Sequence, residues 1–130
     1  MGRTQGRRRR APRLGLHLSS SPEAVLIDDA DLVGRTLMGD HSGLTASLVQ
    51  LSGCRIEGAQ LVGTHLENSR LVDCVVIGCD LSGLTLADSA CTRVEFRDCR
   101  LSGLQAANSR FADVAFLRCR IDGANFRMTT

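Results

Sequence analysis

The chain has 130 residues, enough for one domain, and 43% of them are hydrophobic, a fraction typical of soluble proteins. It has four Phe and neither Trp nor Tyr, which excludes a core of many large aromatics and favours a narrow one of small and aliphatic side chains. All 16 positive side chains are Arg, a bias typical of GC-rich bacterial coding, and the formal net charge of +2 excludes a strongly acidic or basic protein.

The first predicted element is a flexible, Arg-rich tail over residues 1–22. A basic run in it, which could bind nucleic acid or anionic lipid with strong salt dependence, consists of Arg7, Arg8, Arg9 and Arg10. The alternative is a solvated arm without a dedicated partner.

Two further features of the tail bear on the cellular location of the protein and on the local structure of the tail. The apolar stretch "LGLHL" is too short for an export signal, and no run is long enough to span a membrane, so a cytoplasmic protein is predicted. Leu14, Leu16 and Leu18 alternate, which indicates a short strand lying over the first part of the domain.

A five-residue repeat is predicted to form one domain over residues 23–130. Its first blocks, "VLIDD", "ADLVG" and "RTLMG", centre on Ile27, Leu32 and Leu37. The four residues "DHSG" at 40–43 then shift the phase, which we interpret as a surface loop that interrupts the repeat. Arg35 falls at a position that should point inward, so this first part is expected to be irregular.

From Leu44 the chain continues in 17 consecutive blocks of five without a slip. Every Phe lies at the third position of a block, and the six Cys lie at the first or third. The chance that all ten residues fall at these two of the five positions is about one in ten thousand. The third positions are all apolar: Ala46, Leu51, Ile56, Leu61, Leu66, Leu71, Val76, Leu81, Leu86, Cys91, Phe96, Leu101, Ala106, Phe111, Phe116, Ile121 and Phe126.

This pattern resembles the pentapeptide-repeat family, most clearly in "ADLVG", "AQLVG" and "ANFRM". The resemblance implies an all-β protein, a right-handed quadrilateral parallel β-helix with four blocks, or about 20 residues, per coil. The sequence agrees independently, since two inward side chains followed by a Gly, Asp or Asn bend suit one side of a square coil. Coils would then stack about 4.8 Å apart through parallel ladders.

Residues 20 apart should therefore be vertical neighbours. One such column alternates in charge, and it consists of Gly53, Asp73, Arg93 and Asp113. Another places Asp80 beneath Arg100, and a polar column of turn residues consists of Asn68, Asp88 and Asn108. These pairs support the register more than the stability, because exposed ion pairs contribute about 0–1 kcal/mol each.

The most conspicuous candidates for chemistry are the cysteines of "CDLSG", "CRLSG" and "CRIDG", namely Cys79, Cys99 and Cys119. A straight column cannot supply the tetrahedral thiolates that zinc needs, so no metal site is predicted. A disulfide is compatible with the coil spacing, but parallel side chains in a reducing cytoplasm argue against it. We interpret these residues as small buried hydrophobes.

No enzyme is predicted, and neither is a cofactor or a small-molecule substrate. His17, His41 and His65 fall in the tail, the expected loop and an outward column, without a grouped nucleophile. Ser69 and its equivalents one coil apart form a repeat column instead of a catalytic group.

A candidate interaction surface is formed by outward apolar residues, four of them on one side of the coil and Val72 round the adjoining corner. Such clusters can mark a partner site, although Glu95 and Arg97 separate the two halves and scattered single residues are the alternative. The candidates are Val72, Val75, Ile77, Ala115 and Leu117.

The predicted function is a non-enzymatic scaffold or protein-interaction module with a protein partner. The family resemblance implies an alternative, since some members imitate DNA, bind type II topoisomerase and confer resistance to gyrase-targeting drugs. Residues 44–130 carry nine Arg against nine acids, which disfavours an acidic DNA mimic. A second alternative is nucleic-acid tethering through the basic tail.

The last coil ends without a polar cap. An open β edge invites pairing with another chain, so we expect either a homodimer through the C-terminal coil or a chain that continues in a longer protein.

Overall fold

The computed structural model describes residues 10–14, 19–20 and 26–126, with backbone alone for 19–20. All regular elements in these residues are β-strands. They are β1 (Ser19–Ser20), β2 (Asp31–Val33), β3 (Arg35–Leu37), β4 (Thr45–Ser47), β5 (Gln50–Ser52), β6 (Arg55–Glu57), β7 (His65–Glu67), β8 (Arg70–Ile77), β9 (Ala90–Arg97) and β10 (Arg110–Leu117).

The strands wind into a right-handed quadrilateral parallel β-helix, as the sequence predicts. Arg70 of β8 pairs with Ala90 of β9, and Ala90 pairs with Arg110 of β10, so each ladder step advances the chain by one coil. All strand pairs are parallel. We number the coils first (26–43), second (44–63), third (64–83), fourth (84–103) and fifth (104–123).

The core is a single column of apolar side chains inside the coils, and it consists of the third and first positions of the blocks. Third-position residues such as Leu51, Leu86 and Leu101 are almost fully buried, and so are first-position residues such as Val49 and Val94. Buried positions therefore recur at alternating intervals of two and three residues, as the apolar first and third positions do in the sequence.

The corners of the coil are made by the fifth residues of the blocks, which adopt the left-handed backbone conformation. Asn68, Asp88 and Asn108 have φ of 51°, 55° and 58°, in a region where the short polar side chains of Asn and Asp are tolerated. Leu48 (φ 60°) and Arg93 (φ 52°) occupy the same conformation with side chains that favour it less.

The phase change near residue 40 is not a loop that leaves the ladder. The His41 amide donates to the Gln60 carbonyl at 2.7 Å, the Gly43 amide donates to Val62 at 2.9 Å, and the Gln60 amide donates back to Gly39. The segment 40–43 is thus a regular side of the coil. The irregularity lies one step earlier: Leu37 pairs with Ile56, 19 residues on, whereas Asp40 pairs with Gln60, 20 residues on. One corner of the first coil is shorter by one residue.

The first coil is irregular in its side chains too, as expected. Arg35 takes the inward first position that Cys54 occupies in the second coil, and its Nε atom is buried without a hydrogen-bond partner. The prediction that Ile27 points inward is wrong, because Ile27 is 59% exposed while its neighbour Leu26 is buried. This part of the first coil therefore does not follow the repeat.

Aromatic side chains fill the fifth coil and the residues after it. The rings of Phe96 and Phe116 stack with centroids 5.0 Å apart, and Phe126 packs edge-on against Phe111 at 6.0 Å. Phe126 itself is 38% exposed.

Candidate interaction surface

The cysteines act as small hydrogen-bond donors inside the coil wall. The Cys99 thiol donates to the Val76 carbonyl at 3.4 Å, and the Cys119 thiol donates to Phe96 at 3.3 Å, in both cases 23 residues upstream. Ser89 makes the same bond to the Leu66 carbonyl at 3.2 Å. First-position Cys and Ser are therefore equivalent, which refines the interpretation of the cysteines as simple hydrophobes.

Two more first-position residues extend this rule. The Thr64 hydroxyl donates to the His41 carbonyl at 2.6 Å, again 23 residues upstream. The Cys54 thiol donates to Leu32, 22 residues upstream, because the first coil is one residue shorter. The hydrogen bond follows the geometry of the coil, and the identity of the donor is secondary.

Metal binding and nucleophilic attack both require the thiolate, and the surroundings shift the pKa values of the thiols in opposite directions. A hydrogen bond with Cys74 lowers the pKa of Cys54 to about 6. Burial raises the pKa of Cys91 to about 12. The pKa of Cys99 is raised by its hydrogen bond with Cys79 and by burial, and the same hydrogen bond lowers the pKa of Cys79. Within the described part of the chain, no three His, Cys, Asp or Glu side chains are grouped as metal ligands.

The histidines and serines are placed as structural residues. His41 is buried, and its Nε2 lies 2.8 Å from the Met38 carbonyl. His65 is exposed on the short strand β7, and His17 lies outside the described residues. Ser69, Ser89 and Ser109 form a buried column in which each hydroxyl accepts the amide of the residue one coil earlier or donates to a carbonyl.

The inside of the coil offers little room for a ligand. The cavity among Leu51, Leu71 and Phe96 has a volume of about 20 Å³, whereas small-molecule sites usually measure about 300–1,000 Å³. The larger spaces are open grooves on the outside. One of about 500 Å³ is lined by Arg100, Arg118 and Arg120 among others.

Charged residues on the outside pair from coil to coil. Arg93 and Asp73 form a bidentate pair, with Nε–Oδ1 of 2.6 Å and Nη2–Oδ2 of 3.0 Å, as the predicted charge column requires. A second bidentate pair joins Arg118 to Asp98 at 2.7 and 3.2 Å. The sequence analysis missed this pair, although the same spacing of 20 residues would have found it.

The predicted neighbours Asp80 and Arg100 do pair through their backbones, but their side chains form no ion pair. The Asp80 carboxylate instead accepts hydrogen bonds from the Ser82 amide at 3.1 Å and the Ser82 hydroxyl at 2.7 Å. These bonds, followed by the nearby charge of Arg100, lower the pKa of Asp80.

The predicted apolar surface residues lie on β8 and β10, which together with β9 form what we call the long-strand face. Ile77 and Leu117 flank Arg97 in the ladder, and Leu117 is 37% exposed. Val72 and Ala115 are half-buried. Val75 is 7% exposed, so it lies below the surface and offers a partner little area.

An ion pair divides the long-strand face. Arg97 Nη2 lies 2.6 Å from Glu95 Oε1, and Glu95 is almost completely buried. The face therefore presents Ile77 and Leu117 on either side of a charged centre, an arrangement that resembles the apolar and polar mixture of transient protein interfaces.

Other exposed apolar side chains lie in the first coil, and the repeat pattern does not single them out. They do not form one patch, because Ile27, Val33 and Met38 lie on successive sides of the first coil.

Part of the predicted tail lies against the domain. The backbone amide of Arg13 donates to Asp73 Oδ1 at 3.1 Å. Ser19 and Ser20 form β1 and pair with Arg35 and Thr36, one residue beyond the alternating Leu residues from which a strand was expected. Arg7, Arg8 and Arg9 lie outside the described residues, and Arg10 is exposed.

These features define a β-solenoid repeat protein whose surface carries paired charges and a mixed apolar and polar face. No helix in the described part of the chain is long and apolar enough to cross a membrane. A model of the pentapeptide repeat region matches residues 49–126, and the chain therefore belongs to the pentapeptide-repeat family.

Solved structures of similar fold include two pentapeptide-repeat proteins. QnrB1, a plasmid-mediated fluoroquinolone resistance protein, is 17% identical with a TM-score of 0.42, and the match covers 85% of this chain and 72% of QnrB1. Rfr23 from the cyanobacterium Cyanothece 51142 is 12% identical with a TM-score of 0.31, over 79% of this chain and 86% of Rfr23. A search of curated proteins found no match.

Proposed function

We propose that the chain is a non-enzymatic scaffold that binds a protein partner through the long-strand face. The observation that supports this most directly is the ladder of β8, β9 and β10, three strands of eight residues each that bend at Asp73, Arg93 and Asp113 and so cover two adjoining sides of the coil. Interaction sites placed on regular elements are held more precisely than sites on loops.

The chemistry of the face suits a protein partner. Ile77 and Leu117 provide apolar contacts, and the Arg97 side chain between them is 42% exposed while it remains bound to Glu95. A partner can bury the apolar side chains of this surface without leaving a buried charge unpaired.

The surface does not support imitation of DNA as the primary function. Acidic side chains that would supply the negative potential are neutralised by arginines, in the pairs Asp73 with Arg93 and Asp98 with Arg118. A gyrase supercoiling assay at micromolar protein, with and without quinolone, tests this alternative. Inhibition or protection from the drug would favour topoisomerase binding over the scaffold that we propose.

The experiment that tests the proposal places a photo-crosslinking amino acid at Leu117 and, as a control, at Val62, which is similarly exposed on another side of the coil. We expect one protein to crosslink at Leu117 alone. That protein, once purified, should bind the wild type and Val62→Glu but not the double variant Ile77→Glu, Leu117→Glu. Equal binding by all three proteins would refute this site.

A further inference from the structure

Residues 10–14 show the pattern of an extended segment that lies on a surface. Pro12 and Leu14 are half-buried, whereas Arg10, Ala11 and Arg13 are exposed. Side chains of an extended backbone alternate between two faces, and proline restricts the backbone to extended conformations in the residue before it. One face of this segment is therefore covered.

The segment contacts the corner column of the long-strand face. The Arg13 amide donates to Asp73 Oδ1 in the third coil, while the Arg13 carbonyl oxygen lies 3.9 Å from the place that a Cβ on Gly53 would occupy in the second coil. The column runs from Gly34 and Gly53 to Asp73, Arg93 and Asp113. A Cβ at position 53 would be in ordinary van der Waals contact with the Arg13 carbonyl oxygen.

Electrostatics favours this placement. Residues 10–14 contain two arginines and no acid, and they lie beside a carboxylate. The Arg93 side chain, followed by the Arg13 amide and the Arg13 charge, lowers the pKa of Asp73, so the carboxylate is ionised at neutral pH. A hydrogen bond to an ionised acceptor is stronger than one between neutral groups.

We infer that Gly53 and Asp73 form a docking site for an extended basic segment, and that residues 10–14 of the same chain occupy it. The docked segment covers the corner next to Val72, so a partner that uses this edge of the long-strand face must displace it. Docking itself does not depend on the partner, whereas its effect on partner access rests on the proposed function.

The inference is tested by amide hydrogen exchange at Arg13 in the isotope-labelled full chain, measured by NMR. The test variant is Asp73→Gly, which reproduces the residue of the second coil in the same left-handed conformation. The matched control is Asp98→Gly, which also loses a bidentate pair with an arginine one coil away but lies on another column. The Asp98 pair is more exposed than the Asp73 pair, so we expect Asp98→Gly to lose less stability.

In the wild type we expect the Arg13 amide to exchange about tenfold more slowly than in an unstructured peptide of the same sequence. Asp73→Gly should remove this protection, and Asp98→Gly should retain it. Exchange at the unstructured rate in the wild type, or equal rates in the two variants, would overturn the inference.

Two further measurements keep the test decisive. If Asp73→Gly fails to fold, Leu14→Ser changes the arm alone, and we expect faster exchange at Arg13 with unchanged exchange at Val94 in β9. Protection that decreases on dilution would mean that the arm of a second molecule fills the site, which contradicts docking within one chain.

Discussion

The first coil and the third coil have the same fold but obey the repeat to different degrees. In the third coil Cys79 places a small donor at the inward first position, and its thiol reaches the Ile56 carbonyl at 3.5 Å. In the first coil Arg35 takes that position and leaves a buried Nε without a partner. The comparison teaches that the inward first position of the central coils takes an uncharged side chain, either a small donor such as Cys79 or an aliphatic residue such as Val94, whereas the first coil accommodates Arg35 there.

The largest expected effect comes from copying the defect of the first coil into the centre. Cys99→Arg would bury a charge without a partner between two complete coils, and we expect it to lower the free energy of unfolding by at least about 3 kcal/mol. Urea denaturation would measure the loss. Arg100→Ala, an exposed change in the next residue, should stay within about 0.5 kcal/mol of the wild type. Similar stability for both variants would contradict the requirement for an uncharged side chain at the inward first position.

The reverse change should repair the first coil. Arg35→Cys removes the buried Nε and restores the residue type of Cys54, so we expect a gain of about 1–2 kcal/mol in the free energy of unfolding. The control is Arg55→Ser, which changes an arginine that pairs with Glu57 on the surface. A gain no greater than that of the control would show that Arg35 is satisfied in solution.

A smaller gain is expected at a corner of the second coil. Leu48 has φ of 60° and is 55% exposed, whereas the next residue in its column is Asn68. Leu48→Asn should therefore add about 0.5–1 kcal/mol by relieving the left-handed conformation. Leu44→Asn, at an exposed position without positive φ, should bring no gain in the same thermal denaturation experiment.

The smallest effect is the pH dependence of stability that the ion pair of Asp73 with Arg93 gives to the third coil. The folded-state pKa of Asp73 lies below that of the unfolded chain because of the Arg93 side chain. Its contribution is therefore complete above the unfolded pKa of about 4 and is lost as the pH falls through the lower folded pKa. Urea denaturation between about pH 5 and pH 2 should show a shallower decline for Asp73→Asn than for the wild type. Parallel curves would contradict the pairing.

The regular coils could be predicted in detail because each block repeats the same local requirement. Leu51 and Leu101 point inward because they hold the third position of their blocks. Asn68 forms a corner of the coil because Asn tolerates positive φ. The phase change was misplaced because His41, a polar residue at an inward position, resembles the start of a loop. In the structure its ring approaches the Met38 carbonyl, a contact that no periodicity reveals.

The candidate surface was harder to predict than the core. The alternation of residues along β8 predicts that Val75 points outward, yet Val75 is buried. Burial of an outward residue depends on the long side chains around it, and the five-residue repeat does not describe these. The contact between Arg13 and Asp73 spans 60 residues and follows no repeat, so the sequence could not indicate it. The ladder spacing did predict the pair of Asp73 with Arg93.

That contact has a mechanical consequence. A solenoid is held together by the interfaces between successive coils, and its end coil, with one neighbour, should separate first. Residues 10–14 precede the first coil in the chain, yet they reach past Gly53 in the second coil to Asp73 in the third. The arm therefore lies across the interface between the second and third coils, and separating these two coils must also break one of its contacts.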